Sequence, residues 1–326
     1  MGKDKKKGEK ILAGINRNVK AIQWDCLIEE CSEKAINSHI LQKNGVLSNI
    51  ESSGHIYEIK PIDVFKWTGK NFGSITAFKK IGLNQAHSYP TLCNQHDTDI
   101  FLPIETHPLD FNEYQINLLF AFRTLLSMIR KEQIIKERET RTINSAILKS
   151  NPNTVSALQY SKQNLIVIEE LLKSRNKEFS KFKVDLESEN KNFDFISLSY
   201  PLKEAYASSI HISPNKLESI YTNIFPYEGK SKILIFYPIN TTDKWTLEYL
   251  ESWKSLNENE LEMRLSTHLI MQCENWGISE KVYENLSIEK QKDLIKISQN
   301  NLFNMYPKLD LKYRVDFNLF NEENAT

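Results

Sequence analysis

Residues 24–40, WDCLIEECSEKAINSHI, and the later run LCNQHD at 92–97 hold three of the chain's four cysteines. His96 follows Cys93 at Cys-x-x-His spacing. Cys26 and Cys31 enclose Leu27-Ile28-Glu29-Glu30, a loop two residues longer than a C-x-x-C knuckle. Three thiols and an imidazole form a donor set for Zn²⁺, which has no d-electron preference and accepts sulfur and nitrogen in a closed four-coordinate shell. Cys93 and His96, three apart, are predicted to share one face of a helical turn. Asp97 and Asp99 suit the N-terminus of that helix, and Pro103 is expected to end it. The spacing therefore predicts one tetrahedral Zn²⁺ site from Cys26, Cys31, Cys93 and His96. The plain alternative is that these cysteines are small buried hydrophobes in a reducing compartment.

The paired-cysteine knuckle, the strand-like Ala35-Ile36-Asn37-Ser38-His39-Ile40-Leu41 and LCNQHD at a helix start resemble a treble-clef zinc finger. More narrowly, they resemble the zinc-stabilised branch of the HNH, or ββα-metal, endonucleases. In that family a D-H-I-like triplet supplies a histidine base, and a later L-C-x-x-C-H run supplies zinc and catalytic-metal ligands. The resemblance implies His39 as general base and Cys93 and His96 as the second zinc pair. Asp97 falls where the family has its metal-binding histidine, so a catalytic Mg²⁺ or Mn²⁺ is implied beside the structural Zn²⁺. Ser38 stands where an acidic or histidine ligand is usual. Ser88 stands where an asparagine is expected, with Asn84 the nearest, and the insertion between the halves is long. The likeness covers residues 24–105 of 326. The whole pattern also resembles an uncharacterised family of bacterial proteins, from which no activity carries over.

Composition bounds the function. A chain of 326 residues can bury a sizeable core and is expected to form two or three domains. Lys+Arg and Asp+Glu each number 42, so bulk charge does not suit a coat for nucleic acid, although a local basic patch does. Basic Met1–Lys10 is followed by no apolar h-region, the myristoylation pattern is absent, and no window approaches the run of about 20 apolar residues that spans a bilayer. A cytoplasmic protein without disulfides or a membrane partner is expected, with Cys273 a buried core thiol.

The predicted class is α+β, in four parts: a disordered basic tail over 1–10, a zinc-binding treble-clef/HNH-like domain over 11–110, an antiparallel helical hairpin over 111–190 and a C-terminal α+β domain over 191–326. Ser38–Ile50 suggests a short helix interrupted near Asn44-Gly45. Gly54–Lys60 alternates like a strand, and Val64–Trp67 and Ser74–Phe78 read as further short strands. Ile116, Leu119, Phe120, Leu126, Ile129 and Ile134 recur at helical spacing, with Arg123 inside the stripe as a snorkelling side chain or a partner for Glu105. After Pro152, Leu158, Leu165, Ile168, Leu172 and Phe179 mark a second long helix. The charge runs Arg130–Arg141 and Lys173–Lys183 read as solvated faces, or as an arm for a protein partner or self-association. Phe193–Tyr200 and Lys232–Tyr237 are the best strands. Ala205–Ser213 is ambiguous, with helix one reading, Thr242 or Asp243 reads as the cap of a helix reaching Trp253, and Glu258–Glu274 as a helix stopped by Asn275 and Gly277. Helices are expected to dominate this region.

No P-loop, G-x-G-x-x-G or G-x-S-x-G motif occurs, which argues against nucleotide hydrolysis by a P-loop and against lipase-type chemistry. His39 reads as a catalytic base, or as a ring bonded to a ligand sulfur or to backbone. His55 and His87 are further candidate ligands, or singly bonded imidazoles. His268 and Cys273, five apart, fall on different helix faces, which disfavours a Cys–His nucleophile. Two functions stay open: an HNH-like nuclease acting on DNA or RNA, in a setting such as bacterial defence, with His39 and Asp97 catalytic; or a non-catalytic zinc-stabilised scaffold whose helical hairpin binds a protein or nucleic-acid partner.

Overall fold

The first helix, α1, runs Gly2–Lys20. Where a disordered tail is expected over 1–10, the helix continues through it. Leu12 and Val19 bury one face of its second half, and lysine and glutamate extend the helix outward at little cost. The structure is a computed structural model and describes residues 2–42, 46–50, 53–61, 76–106, 108–188, 191–273, 275–303 and 310–320. Val64–Trp67 and the break at Asn44-Gly45 lie outside the described residues.

The class is α+β, with two compact units each assembled from separated segments. The first unit comprises Met1–Ser38, Tyr89–Ile100 and Leu125–Glu187; the second comprises His39–Ser88, Phe101–Thr124 and Ser188–Thr326. Strand β1 (Asn37–His39) is followed by a 3-10 turn at Leu47–Asn49, not by the helix expected over 38–50. Strands β2 (His55–Pro61) and β3 (Thr76–Gly82) pair antiparallel, Tyr57 opposite Lys80 and Ile59 opposite Phe78. Short β4 (Ser88–Pro90) pairs with β1 in a two-stranded ribbon. Helix α2 runs Asn94–Glu105 and carries Pro103 two residues before its end.

Helix α3 spans Tyr114–Asn144, a short α4 spans Ala146–Lys149, and α5 spans Val155–Glu187. Asn151 caps a 3-10 turn at Pro152–Thr154, so the proline opens that turn and α5 begins just after it. The charge runs are not simply solvated. Arg130, Glu132 and Glu139 of α3 and Arg175, Glu178 and Asp185 of α5 are buried. Arg175 and Glu132 meet, Arg175 Nε 3.5 Å from Glu132 Oε1; the half-exposed Lys136 Nζ is 3.0 Å from Glu169 Oε1, and the neutral Asn164 Nδ2 donates to Glu139 Oε1 at 3.2 Å. Arg123 is the paired alternative rather than the snorkelling one, its Nη2 2.6 Å from Glu105 Oε1.

The second unit is built on a seven-stranded sheet, not on helices. Its further strands are β5 (Phe193–Pro201), β6 (Ala205–Ile212), β7 (Ser219–Tyr227), β8 (Lys230–Pro238) and β9 (Asn275–Ile278), in the order β3-β2-β9-β6-β7-β8-β5. Residues 205–212, ambiguous in the sequence, form a strand because β7 and β9 pair with both of its edges. Asn275 and Gly277, read as helix stops, instead lie in β9. A Cβ at Gly277 would come within 2.8 Å of Tyr206 Cζ, so glycine lets the neighbouring strand's ring lie flat against the backbone.

Asp243 caps α6 (Lys244–Glu251) by accepting from the Thr246 N–H, and Asn257 with Glu260 forms a capping box on α7 (Glu258–Thr267). A π-helical turn, His268–Gln272, follows α7. Helices α8 (Glu280–Glu284) and α9 (Ile288–Phe303) complete the unit. Its core joins Ile220, Ile224, Ile233 and Ile235 of the sheet to Tyr249, Trp253, Leu261, Leu265 and Leu269. No described helix is long and apolar enough to cross a membrane.

Candidate metal centre

All four ligand candidates lie in the first unit, and two backbone arrangements bring them together. In the knuckle, the Cys26 N–H donates to Glu33 O at 3.0 Å and the Cys31 N–H to Ile28 O at 3.3 Å. Glu30 takes φ 65°, the left-handed conformation that closes a loop two residues longer than usual. The knuckle is held against the second run by Leu27 N–H to Thr91 O (3.0 Å) and Ile36 N–H to Leu92 O (2.7 Å).

The second arrangement is the start of α2. Cys93 immediately precedes the helix, its carbonyl accepts from the Asp97 N–H at 2.9 Å, and its Sγ accepts from the His96 N–H at 3.5 Å. Helix geometry then turns His96 back over Cys93, as Cys-x-x-His spacing requires.

The four donor atoms lie within 4.8 Å of one another. Cys31 Sγ and Cys93 Sγ are 3.9 Å apart, and His96 Nδ1 is 3.4 Å from Cys26 Sγ and 3.3 Å from Cys93 Sγ. Zn–S bonds of about 2.3 Å and Zn–N bonds of about 2.0 Å give tetrahedral edges of roughly 3.5–3.8 Å. These three separations sit around those edges, with Nδ1 the imidazole donor. Burial pushes the Cys26 thiol up, whereas Cys93 is held down. Burial opposes ionisation at Cys93 too, but the His96 and Gln95 N–H groups and the neighbouring thiols outweigh it. Low thiol pKa at a helix N-terminus favours the thiolate that metals bind.

Arg130 of α3, in a run whose mixed charge suggests a solvated face, belongs to this centre's surroundings. Its Nη2 donates to the Asp25 carbonyl, and its guanidinium lies 4.9 Å from the centre of the Trp24 ring. Burial, partly offset by Asp25 and Cys26, lowers its pKa to about 10, so it stays cationic at neutral pH. Three thiolates and a neutral imidazole would carry one net negative charge around a Zn²⁺ ion, which this cation would offset. The signal available in the sequence was the arginine's place on the continuing apolar stripe of α3.

The other candidates lie elsewhere. Asp97 Oδ1 accepts from Ser38 Oγ at 2.6 Å. His39 belongs to the second unit, where its Nε2 is 2.8 Å from the Leu83 carbonyl oxygen. His55 Nδ1 is 2.8 Å from Ser53 O, and buried His87 Nε2 is 3.3 Å from Trp276 O. The Cys273 thiol is directed at the carbonyl oxygens of Asn275 (3.2 Å) and Ser208 (3.7 Å). No protein-family model, curated protein or solved structure matches this chain.

Proposed function

We propose that this chain is a zinc-binding scaffold. Zn²⁺ on Cys26, Cys31, Cys93 and His96 clips a treble-clef-like N-terminal region, and α3 and α5 form an antiparallel hairpin that binds a protein or nucleic-acid partner. The observation that carries the reading is the convergence of three sulfurs and one imidazole nitrogen within 4.8 Å. Four protein donors close the coordination shell and leave no position for substrate, which is the pattern of a structural site. The pairs 132/175, 136/169 and 139/164 support the hairpin, since one number rises as the other falls. Metal analysis tests the centre: one zinc per chain is expected in the wild type and little in Cys93→Ala. A wild type purified without a transition metal would refute it.

One observation keeps an HNH-like nuclease as a second reading. Ser38, next in sequence to His39, is hydrogen-bonded to Asp97, so the two runs that resemble the nuclease motif meet. In that reading His39 is the base and Asp97 a Mg²⁺ or Mn²⁺ ligand. Plasmid nicking with either cation, lost in His39→Ala while zinc content is kept, would favour it over the scaffold. The neutral net charge and Ser38 in place of a metal ligand favour the scaffold.

A further inference from the structure

Thiols gathered within 4.8 Å of one another can be oxidised as well as metallated. The three in this centre are not equivalent. Cys26 and Cys93 are buried, at 8% and 5% exposure, whereas Cys31 is only half-buried. It sits in the knuckle among exposed Glu29, Glu30, Ser32 and Glu33. A small oxidant arriving from solvent therefore meets Cys31 before either of the other two.

The neighbour placed to answer it is Cys93. The two sulfurs are 3.9 Å apart, across the join between the knuckle and the start of α2. The backbones on either side already run together, through Leu27 N–H to Thr91 O and Ile36 N–H to Leu92 O. Disulfide sulfurs lie about 2.05 Å apart, so about 2 Å of side-chain movement makes the bond. Cys26 faces His96 Nδ1 at 3.4 Å and shares the five-residue span of the knuckle with Cys31.

We propose that Cys31 and Cys93 are a peroxide-sensitive pair whose oxidation to a disulfide discharges the metal. This rests on the zinc reading of the same four residues. The Cys31 thiolate attacks one oxygen of hydrogen peroxide; the O–O bond breaks, hydroxide leaves and is protonated, and Cys31 becomes a sulfenic acid. The Cys93 thiolate then attacks that sulfur, the S–S bond forms, the S–O bond breaks, and a second hydroxide leaves and is protonated. In sum, two thiolates, one peroxide and two protons give one disulfide and two waters, with two electrons passing from sulfur to oxygen. Cys26 and His96 alone then remain as donors, half the set that closes a Zn²⁺ shell. The metal leaves, and the link between knuckle and α2 becomes covalent.

The test uses the full chain as purified, carrying Cys273→Ser to remove the thiol outside the centre. Hydrogen peroxide is added, zinc release is followed with a chromophoric chelator against an untreated sample, and disulfides are mapped by mass spectrometry without reduction. Glutamyl endopeptidase, cutting after Glu29 and Glu30, separates Cys26 from Cys31. One zinc released per disulfide is expected, with Cys31 and Cys93 on the linked peptides and one of the three remaining thiols still free. Dithiothreitol with added Zn²⁺ should restore both metal and thiols. A Cys26–Cys31 or Cys26–Cys93 bridge as the main product would overturn the proposal, as would zinc retained after the thiols are oxidised, or thiols that peroxide leaves unchanged. A chain purified without zinc refutes the zinc reading and the proposal together; a zinc-loaded chain that forms no Cys31–Cys93 bridge refutes the proposal alone. If Cys273→Ser does not fold, the same mapping on the wild type decides the pairing.

Discussion

Glu58, on β2, keeps its carboxyl out of solvent among Lys60, the Tyr206 hydroxyl that donates to it, and the His87 ring, whose Nε2 is 3.5 Å from Oε1. Burial raises its pKa above the ordinary 4.5, against the pull of Lys60 and the hydrogen bond from Tyr206. A carboxyl with a raised folded pKa binds its proton more tightly in the folded chain than in the unfolded one. Its contribution to stability is therefore fully present below the unfolded value and is lost as pH climbs through the folded value. Glu58→Gln keeps an acceptor for Tyr206 but cannot ionise. The midpoint of E58Q minus that of wild type should grow more positive as pH rises from 4.5, measured by thermal melts across that range. A difference that is flat or shrinks with pH would show that the carboxyl is not held against ionisation.

On α3 and α5 the telling feature is charge buried inside the helix faces. Arg175 and Glu132 are both buried and 3.5 Å apart. Removing one member leaves the other's charge in a poorly solvating setting, whereas removing both replaces an ion pair with apolar packing. Arg175→Met is expected to cost about 3–5 kcal/mol. Adding Glu132→Met should recover more than half of that loss in denaturant titrations. A double variant no better than the single would mean that the two side chains are not energetically coupled. These residues also mark the limit of sequence reading. A run of mixed charges at helical spacing looks the same whether it faces water or a second helix. Burial depends on what packs against it, which the local pattern does not contain. The same limit hid β6 and β7. Ala205 to Ser209 are all buried, as are all nine residues of Ser219–Tyr227, so neither segment shows the alternation that marks a half-exposed strand. Phe193–Tyr200 was legible because it retains such an alternation, and Asp243 because a cap is a local signal. The cysteine–histidine cluster was legible for a related reason. Ligand chemistry is carried by residue identity, and Cys-x-x-His spacing needs only one helical turn to become geometry.

Every ligand of the candidate metal centre belongs to the first unit. Unequal local stability follows from how each unit is held. The segments carrying the ligands rely on a few backbone links, Cys26 to Glu33, Leu27 to Thr91 and Ile36 to Leu92. The β5–β8 block has continuous ladders from Phe193–Pro238 to Pro201–Lys230 and a core of its own. Metal binding free energy is folding free energy for whatever the metal organises, and regions with few buried contacts open first. Chelating the metal should therefore accelerate amide hydrogen exchange at residues 24–38 and 89–97 and leave β5–β8 nearly as protected as before, with re-added Zn²⁺ restoring the first set. Uniform acceleration would mean that the metal's stabilisation reaches the whole chain as one cooperative body. No acceleration at all would mean that the knuckle and the start of α2 are held together by their hydrogen bonds, with the metal contributing nothing to the fold.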